Sequence, residues 1–302
     1  MFRKSSKKIS GIRKREIIMA YIFLLPSLAG FLFFIIGPVI AGLSLSFFKW
    51  DILNPPRFAG LTNYIELFHD KIFRVTFINT CYFTAGTVAG TLVISLALAV
   101  LLEYVTNHYL TIIFRSIYIF PMIISLIVTA LVWGWMLDSS FGVINYILSL
   151  LGLSPIPWLT STKWAMPAMI LLTIWQGLGF NFLVFTAGLA GIPSEYYEAA
   201  KIDGANNFQQ FLHITLPGLS PSIFFVVIIS CISSFQGFTQ FYTLTAGGPG
   251  DATRTIVYYL YDVAFRYFRM GSGAAIAVIL FIIIASLTLL QWRTGKRWVF
   301  YG

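Results

Sequence analysis

The sequence predicts an all-α integral membrane protein that crosses the bilayer six times. Hydrophobic residues make up 58% of the 302 residues and aromatic residues 17%, whereas charged residues make up only 10%. A water-soluble domain of this length carries far more charge. Six stretches of the sequence also reach the roughly 20 apolar residues that a helix needs to cross the hydrocarbon core. Composition and segment length therefore indicate the same fold class.

The six predicted spans cover residues 19–48, 76–102, 111–137, 164–191, 219–244 and 271–292. Prolines inside or beside these spans predict kinks or helix starts, which membranes tolerate when neighbouring helices satisfy the freed carbonyls; they are Pro26, Pro38, Pro121 and Pro167. Residues 141–151 are too few to span and predict an interfacial or partly re-entrant helix. Residues 255–268 predict an amphipathic outer helix with tyrosines and Arg266 at headgroup depth.

Basic residues at the two ends of the chain predict its orientation. The N-terminal tail, residues 1–17, and the C-terminal tail, residues 293–302, hold most of the clustered positive charge; the residues are Arg3, Lys4, Lys7, Lys8, Arg13, Lys14, Arg15, Arg293, Lys296 and Arg297. Because positive charge stays on the cytoplasmic side, both termini and the loops 106–110 and 192–216 are predicted inside. Loops 51–74, 138–163 and 246–270 are then external, and the permease domain covers residues 18–292.

Several function classes are excluded by the same sequence. The net charge of +9 lies in the tails, without the interleaved aromatics of a nucleic-acid surface. Cys81 and Cys231 fall in apolar stretches and make no disulfide framework or zinc motif. A cleaved signal peptide would have a shorter apolar core than residues 19–48 and a small-residue cleavage site. We therefore expect no nucleic-acid partner and a retained first span.

Catalytic chemistry is also missing from the sequence. The three histidines lie far apart in loops, without HExxH spacing or paired carboxylates for a metal or acid–base site. No G-x-x-x-x-G-K-[ST] phosphate loop occurs, so the chain does not hydrolyse ATP by that route. We expect no metal, no cofactor of its own and no enzymatic activity. Energy for any pumping must then enter from another subunit.

A polar segment between the fourth and fifth predicted spans is the place where such a subunit could bind. Ser194 predicts a helix cap, and Gly204 predicts the end of a short helix. Asn206 and Gln209 have capping-box spacing for a second helix, which Pro217 is predicted to close. The two helices would form a compact knob that docks in a partner's groove. An ordinary amphipathic loop is the alternative on physical grounds alone.

The same segment resembles a known signature. Glu198, Ala199, Ala200, Gly204, Ile214, Leu216 and Pro217 match EAA-x3-G-x9-I-x-LP, the EAA motif of ABC-transporter permeases. Nearly the whole chain is similar to the binding-protein-dependent sugar permeases of the maltose and glycerol-3-phosphate type. Other matching stretches are Pro26, Pro38, residues 58–64 (FAGLTNY), Asn79 and Thr80, residues 141–145 and residues 246–255 (AGGPGDATRT). The GGP turn and the helix after it resemble the first of the two permease subunits.

This resemblance implies a six-helix permease of the type I importer fold in a bacterial cell membrane. It implies a homologous second permease, two cytoplasmic ATPase subunits that bind ATP and Mg²⁺, and an extracytoplasmic solute-binding protein. The loop 192–217 would contain the coupling helix, which follows closure of the ATPases. The implied coupling residues are Glu198, Ala199, Ala200, Asp203 and Gly204.

Polar residues in the fourth and fifth spans predict a solute site. Hydroxyls, amides and aromatic faces suit neutral sugars, although the same groups commonly join membrane helices by hydrogen bonds. The resemblance to the maltose permease adds sugar contacts by alignment, with serine or glycine replacing the family's asparagines and one aromatic. A pocket with smaller side chains is therefore expected. The candidate residues are Gly177, Phe180, Asn181, Ser230, Ser233, Ser234 and Gly237.

The predicted function is that of a permease subunit of an ATP-driven importer for a sugar or oligosaccharide. An ion-coupled secondary transporter of a polar solute is the alternative from another class, but the predicted spans are nearly free of the ionisable residues that ion coupling requires. A membrane scaffold without transport activity is the third. Dependence of uptake on ATP or on an ion gradient would separate the first two.

Overall fold

The structure is a computed structural model that describes residues 11–105 and 107–300. Four of its helices are long and apolar enough to cross a membrane, and two bent helix pairs bring the number of candidate spans to six. In chain order we name them spans 1 to 6: Lys14–Leu45, Lys71–Glu103, His108–Ile123 with Leu126–Met136, Ala165–Ala190, Asn207–Gly218 with Ser220–Phe235, and Met270–Gly295. The number of spans agrees with the sequence prediction, whereas two of them are not single helices.

Shorter elements connect the spans. The strands Phe48–Lys49 and Arg57–Phe58 form an antiparallel pair in which Phe48 faces Phe58. The short helices are Thr62–His69, Val143–Leu150, Ser194–Ile202, Thr239–Leu244 and Ile256–Tyr261. Single π-helical turns cover Leu32–Ile36, Phe211–Thr215 and Asp262–Arg266.

Span 1 begins earlier in the chain than predicted. Its helix starts at Gly11 and continues through Pro26 and a π turn to Leu45, so the described part of the predicted 1–17 tail is helical. Residues 1–10, with the first four basic residues of the tail, lie outside the described residues. Phe48, the predicted end of this span, belongs to the first strand instead. The helix packs on span 6 through its last part, Gly37–Leu45.

Spans 2 and 4 form the centre of the molecule. They approach closely because Gly86 and Gly90, one turn apart on span 2, face isoleucine side chains of span 4. A Cβ atom on these glycines would lie 2.7 Å from Ile170 Cδ1 and 2.3 Å from Ile174 Cδ1. Small residues at this spacing are typical of tightly packed membrane helices. A larger residue at either glycine would therefore require the facing isoleucine side chain to shift.

Span 3 is broken. Residues 111–137 were predicted as one span, but two helices meet at 103° between Ile123 and Leu126. Pro121 lies in the last turn of the first helix, where its ring disfavours continuation. Gln176 of span 4 donates from Nε2 to the carbonyl oxygen of Ile124 at 3.4 Å. A side chain of a neighbouring span thus satisfies a backbone group that the break exposes.

Span 5 also differs from its prediction. Its apolar helix ends at Phe235 rather than at residue 244, and Thr239–Leu244 forms a separate helix after a three-residue break. At the other end, Pro217 does not close the preceding helix, which continues to Gly218 and then turns by 63° into Ser220–Phe235. Proline fits here because it stands in the first turn of a new helical segment.

The predicted external loops gather at one end of the bundle. Buried Asn63 donates from Nδ2 to the carbonyl oxygens of Ser46 and Phe48, both at 2.9 Å. Glu66 forms ion pairs with Lys49 at 2.7 Å and with Arg269 at 3.1 Å. These contacts join the end of span 1 to the start of span 6.

The helix predicted for residues 255–268 packs one of its faces into the protein. Tyr258 is fully buried and Asp262 is 1% exposed. Asp262 pairs with Arg266 at 3.1 Å and with Arg254 at 3.5 Å. Burial raises the pKa of the Asp262 carboxyl, an effect that the two arginines oppose. Arg266 lies over the rings of Tyr242, Tyr258 and Tyr261.

The C-terminal segment returns to the opposite end of the bundle. The predicted tail begins at residue 293, but the helix of span 6 continues to Gly295. The backbone N–H of Phe300 donates to Ser220 Oγ at 2.8 Å, and Trp298 packs edge-on against Phe224. The C-terminal residues therefore lie beside the start of the apolar helix of span 5, on the same side as the segment that carries the EAA motif.

Candidate functional site

One cavity of about 320 Å³ is lined by all seven residues that the sequence predicts for solute binding. Span 4 supplies Gly177, Phe180 and Asn181, and the end of span 5 supplies the other four. Phe180 is 38% exposed, whereas Asn181 and Ser234 are 4% and 5% exposed. The cavity thus has an exposed aromatic face at Phe180 together with buried polar groups at Asn181 and Ser234. Whether these residues bind solute remains a prediction.

The break in span 5 shapes one side of this cavity. Gly237 lies between the two helices, and its carbonyl oxygen accepts a hydrogen bond from Thr255 Oγ1 at 3.3 Å. A Cβ atom on Gly237 would come within 3.1 Å of Gln240 Nε2 and 3.2 Å of the Ser234 carbonyl oxygen. The glycine therefore permits a tight turn that places Ser234 and Gln240 on the same cavity. Interrupted helices of this kind commonly line solute pathways in transporters.

Sequence reasoning missed the wall that span 2 contributes. Phe83, Thr87 and Thr91 line the cavity, and so do Leu126 and Thr173. A signal for the two cavity threonines was present, because hydroxyl residues recur every three or four positions along span 2 and mark one helix face.

The residues that line the cavity include no Asp, Glu, Lys, Arg or His. Polarity comes from hydroxyls, side-chain amides and backbone alone, with Phe83, Phe180 and Phe238 as apolar faces. Among the described residues, no group of three or more His, Cys, Asp or Glu side chains could hold a metal ion. The cavity is therefore suited to an uncharged, hydrogen-bonding ligand.

The EAA motif forms a helix that ends in a glycine turn. Ser194–Ile202 is helical, and Gly204 follows with φ of +79°. The Ala205 N–H donates to the Ala200 carbonyl oxygen at 2.8 Å, and the Gly204 N–H donates to that of Lys201 at 3.1 Å. These two bonds define a Schellman motif, which favours glycine at its left-handed position. The predicted helix end at Gly204 is thus confirmed.

Of the two predicted helix caps, one is confirmed by the structure and the other is wrong. Ser194 does not cap the first helix, because Pro193 occupies the cap position and no side chain bonds there. The second helix has the predicted capping box. Asn206 Oδ1 accepts from the Gln209 N–H at 2.9 Å, and Gln209 Oε1 accepts from the Asn206 N–H at 2.8 Å. The predicted two-helix knob is present, and its second helix, Asn207–Gly218, is the first part of span 5 and leads into the apolar helix Ser220–Phe235.

The knob presents an unusual surface. Glu198, Ala199, Asp203 and Gly204 are exposed, and Ala200 is half-buried. Two large apolar side chains on the same knob are also exposed, Ile202 by 87% and Phe208 by 67%. A groove beside it is lined by residues of the EAA helix, the turn into span 5 and the C-terminal segment. Small residues beside exposed apolar ones are suited to close docking of a partner.

Comparison with known proteins identifies the family. Residues 91–298 match the family model described as the binding-protein-dependent transport system inner membrane component. The chain is 35% identical over 286 residues to the probable ABC transporter permease protein YurN of Bacillus subtilis, covering 93% of this chain and 98% of the relative. It is 33% identical over 292 residues to the trehalose/maltose transport system permease protein MalF of Thermococcus litoralis, covering 95% and 97%.

Solved structures agree with the fold. The chain resembles a subunit of a bacterial ABC transporter that imports the acidic polysaccharide alginate, with a TM-score of 0.83 and 25% identity over 94% of this chain and 96% of that one. The similarity is equal for that transporter in complex with an alginate pentasaccharide-bound periplasmic protein. Together with the EAA knob and the six candidate spans, these similarities show that the chain belongs to the binding-protein-dependent inner membrane components, the permease subunits of ABC importers.

Proposed function

We propose that this permease imports a sugar or oligosaccharide, which it receives from an extracytoplasmic solute-binding protein. The observation that carries the proposal is the cavity between spans 2, 4 and 5, whose polar groups are hydroxyls and amides beside the exposed ring of Phe180. Such a lining fits the many hydroxyls and the apolar ring face of a sugar. The names of the relatives support a carbohydrate as the solute class.

The solute contacts within this chain are Gly177, Phe180, Asn181, Ser230, Ser233, Ser234 and Gly237. Buried Asn181 and Ser234 supply hydrogen-bonding groups, and Phe180 supplies a stacking surface. A homologous second permease completes the cavity. The alternative that these polar groups only join helices is disfavoured by their position on a common cavity wall.

Energy reaches this chain through the EAA knob. Two ATPase subunits on the cytoplasmic side bind and hydrolyse ATP with Mg²⁺, and one of them holds the knob in a groove. Glu198 offers an exposed carboxylate to the partner, while Ala199 and Ala200 permit close backbone approach. Asp203 and Gly204 end the helix. The chain itself has neither cofactor nor catalytic role.

The proposed function implies an orientation in the bacterial cytoplasmic membrane. The EAA knob and the C-terminal segment face the cytoplasm, and the helix-rich loops around Glu66 and Asp262 face outward to the binding protein. Basic residues near both termini support this orientation through the positive-inside rule. Ion coupling, the alternative mechanism, is not favoured because the cavity wall holds no titratable group.

Uptake by the complete importer tests the proposal. The two permeases, the ATPases and the binding protein are reconstituted in liposomes and supplied with labelled sugars. We expect uptake that requires ATP and survives collapse of the ion gradients. Glu198→Gln should abolish most uptake in the assembled complex, whereas Glu195→Gln, an exposed acidic residue on the same helix, should retain it. Uptake that needs an ion gradient but no ATP would overturn the proposal.

A further inference from the structure

An apolar groove lies on the side of the bundle between spans 2 and 6, and we call it the span 2–6 groove. It has a volume of about 700 Å³, and the helix Thr62–His69 contributes to its lining. None of its residues lines the solute cavity. All of them are aromatic or aliphatic apart from one arginine: Tyr64, Phe68, Phe73, Arg74, Phe77, Ile78, Ile279, Ile282 and Ile283.

The floor of the span 2–6 groove is closed, and its walls are open. Phe73 is buried and belongs to the same apolar cluster as Ile276 of span 6. Phe68, Ile78 and Ile282 are each more than half exposed. In a membrane protein, apolar side chains of this kind contact either lipid or the helix of a partner. The walls are therefore available to a molecule outside this chain.

The depth of the groove matches one leaflet of a bilayer. Arg74 stands in the first turn of the span 2 helix, and Ile283 stands at the middle of the helix Met270–Gly295. From the first residue of that helix to Ile283 the rise is about 20 Å. Half of a bilayer, counted with its headgroup region, measures roughly 20–22 Å. The groove thus extends from headgroup level to the middle of the membrane.

Two basic side chains stand at the headgroup end of the groove. Arg74 is exposed, and its Nε and Nη2 atoms donate to the Phe68 carbonyl oxygen at 3.3 and 3.0 Å. These bonds hold the guanidinium beside the groove and leave three of its five N–H donors. Lys71 is exposed one turn earlier on the same helix face. Within residues 11–105 and 107–300, neither cation forms an ion pair.

The carboxylates at this end of the bundle already have partners. Asp70 accepts from the Ile72 N–H at 2.8 Å through Oδ1 and from the Tyr259 hydroxyl through Oδ2. Glu66 pairs with Lys49 and Arg269. An anion that neutralises Arg74 must therefore come from another molecule.

A phospholipid supplies both features that the groove requires. Its phosphate lies directly above its acyl chains, so a chain in the groove places the phosphate at the level of Arg74. A helix of a second permease would cover the apolar walls but would leave Arg74 and Lys71 without an anion. Basic pockets between membrane helices bind lipid headgroups with net negative charge. Guanidinium and phosphate also form strong, charge-assisted hydrogen bonds.

We propose that the span 2–6 groove binds one anionic phospholipid, with an acyl chain along Phe77 and Ile282 and the phosphate on Arg74. The bound lipid fills the space between span 6 and span 2, the span that also carries a wall of the solute cavity. The proposal depends neither on the solute nor on the orientation of the chain, since it requires only that the spans cross a membrane.

The test uses the complete importer, purified in detergent, and a phosphatidylglycerol that carries a photoreactive group at the end of one acyl chain. After irradiation, the labelled peptides are mapped by mass spectrometry. We expect the label within residues 279–283, where the groove reaches the middle of the membrane. Unlabelled phosphatidylglycerol should compete about tenfold better than phosphatidylcholine, and inorganic phosphate, which has no acyl chain, should not compete.

Two pairs of variants separate the headgroup contact from the chain contact. Arg74→Gln should weaken binding about tenfold, and Arg74→Lys, which keeps the charge, should weaken it less. Arg57→Gln is the control, since Arg57 is an exposed arginine that does not line the groove. Ile282→Trp fills the groove and should reduce labelling about tenfold, whereas Ile127→Trp, at an exposed isoleucine of span 3, should not.

Label in the groove that is lost in Arg74→Gln and Ile282→Trp but kept in their controls supports the proposal. Equal competition by phosphatidylcholine, or label spread evenly over the exposed faces of the spans, overturns it in favour of unspecific lipid contact. Absence of label together with a cross-link from Ile78→Cys to the second permease shows that a helix covers the groove. If Arg74→Gln fails to assemble, normal labelling of Ile282→Trp is sufficient to reject the site. Sugar uptake by the same preparations tests the proposed function separately.

Discussion

Tyr197 and Thr215 join the EAA helix to the helix that leads into span 5: Tyr197 Oη and Thr215 Oγ1 lie 3.0 Å apart. Thr215 is 6% exposed and stands in the π turn just before the bend at Gly218. The contact connects the surface knob with the membrane helix that carries Ser230 and Ser234. We therefore expect a displacement of the EAA helix to move the first part of span 5 through this contact.

Removing this bond should weaken coupling without removing the partner. We expect Tyr197→Phe to reduce uptake about two- to tenfold, the effect of one lost hydrogen bond, while ATP hydrolysis by the assembled complex persists. Tyr196→Phe is the control, since Tyr196 is 60% exposed on the same helix. The ratio of solute transported to ATP hydrolysed is the measurement. An unchanged ratio in Tyr197→Phe would show that the contact is not used.

Substitutions of Gly204 test whether the left-handed turn at the end of the EAA helix is needed for transport. Its φ of +79° disfavours residues with a Cβ atom, although nothing lies within 4 Å of where that atom would be. Substitution therefore acts through backbone conformation, and for alanine the free-energy cost of the left-handed conformation is about 1–2 kcal/mol. We expect uptake to be highest for Gly204→Asn, lower for Gly204→Ala and lowest for Gly204→Val. Asparagine tolerates this backbone conformation best and β-branched residues least.

Gly30→Ala is a suitable control for this series, since Gly30 also has open space around it but no positive φ. Membrane insertion and assembly are measured together with uptake. Equal activity of the asparagine and valine variants would show that the left-handed conformation does not determine coupling.

Asn79 fastens the glycine-rich turn after span 5 to span 2. Its Nδ2 donates to the carbonyl oxygens of Asp251 at 2.8 Å and Arg254 at 3.0 Å. Asn79→Ala leaves both carbonyls without this donor, and we expect a loss of about 1–3 kcal/mol in local stability. Faster proteolysis within residues 246–255 is the measurement. Asn54→Ala, which affects only an exposed turn with Asp51, should leave the rate unchanged.

The sequence was sufficient to predict the number of spans, a kink at Pro121 and seven of the residues that line the cavity, but not the size of the break in span 3, the break in span 5 or the wall from span 2. Apolar length identifies a span whether or not the helix is straight, so residues 111–137 and 219–244 were each predicted as one span, with a kink at Pro121 in the first. The turn at Ile124 involves a tertiary contact, because its carbonyl oxygen accepts a hydrogen bond from Gln176, which lies 52 residues further along the chain. The break at Gly237 likewise depends on Thr255, which lies beyond the next helix.

Burial explains the remaining differences. The tyrosines of residues 255–268 were predicted to lie at the membrane surface because their composition suits it; Tyr267 is exposed, but Tyr258 and Asp262 are enclosed by the protein. The threonine face of span 2 was readable from its spacing alone. Only the structure separates the satisfied hydroxyl of Thr80 from the unpartnered one of Thr87.

Alanine substitution is expected to have different effects at two glycines of span 4, Gly179 and Gly177. A Cβ atom on Gly179 would lie 2.9 Å from the Tyr118 carbonyl oxygen and 3.1 Å from Ile119 Cα, both backbone atoms of span 3. A Cβ atom on Gly177 would meet only Thr91 Cγ2, at an ordinary 3.5 Å. We expect Gly179→Ala to destabilise the permease by about 1–3 kcal/mol, because two packed helices must separate.

Gly177→Ala should instead leave thermal stability unchanged and reduce uptake, since its methyl group enters the cavity beside Thr91. Thermal unfolding of the detergent-purified importer measures the first effect, and uptake in liposomes measures the second. A lowered Tm in Gly177→Ala would mean that this position packs helices rather than shaping the cavity. A normal Tm in Gly179→Ala would mean that span 3 can move away from span 4 without loss of stability. The close approach of these two spans would then not stabilise the protein.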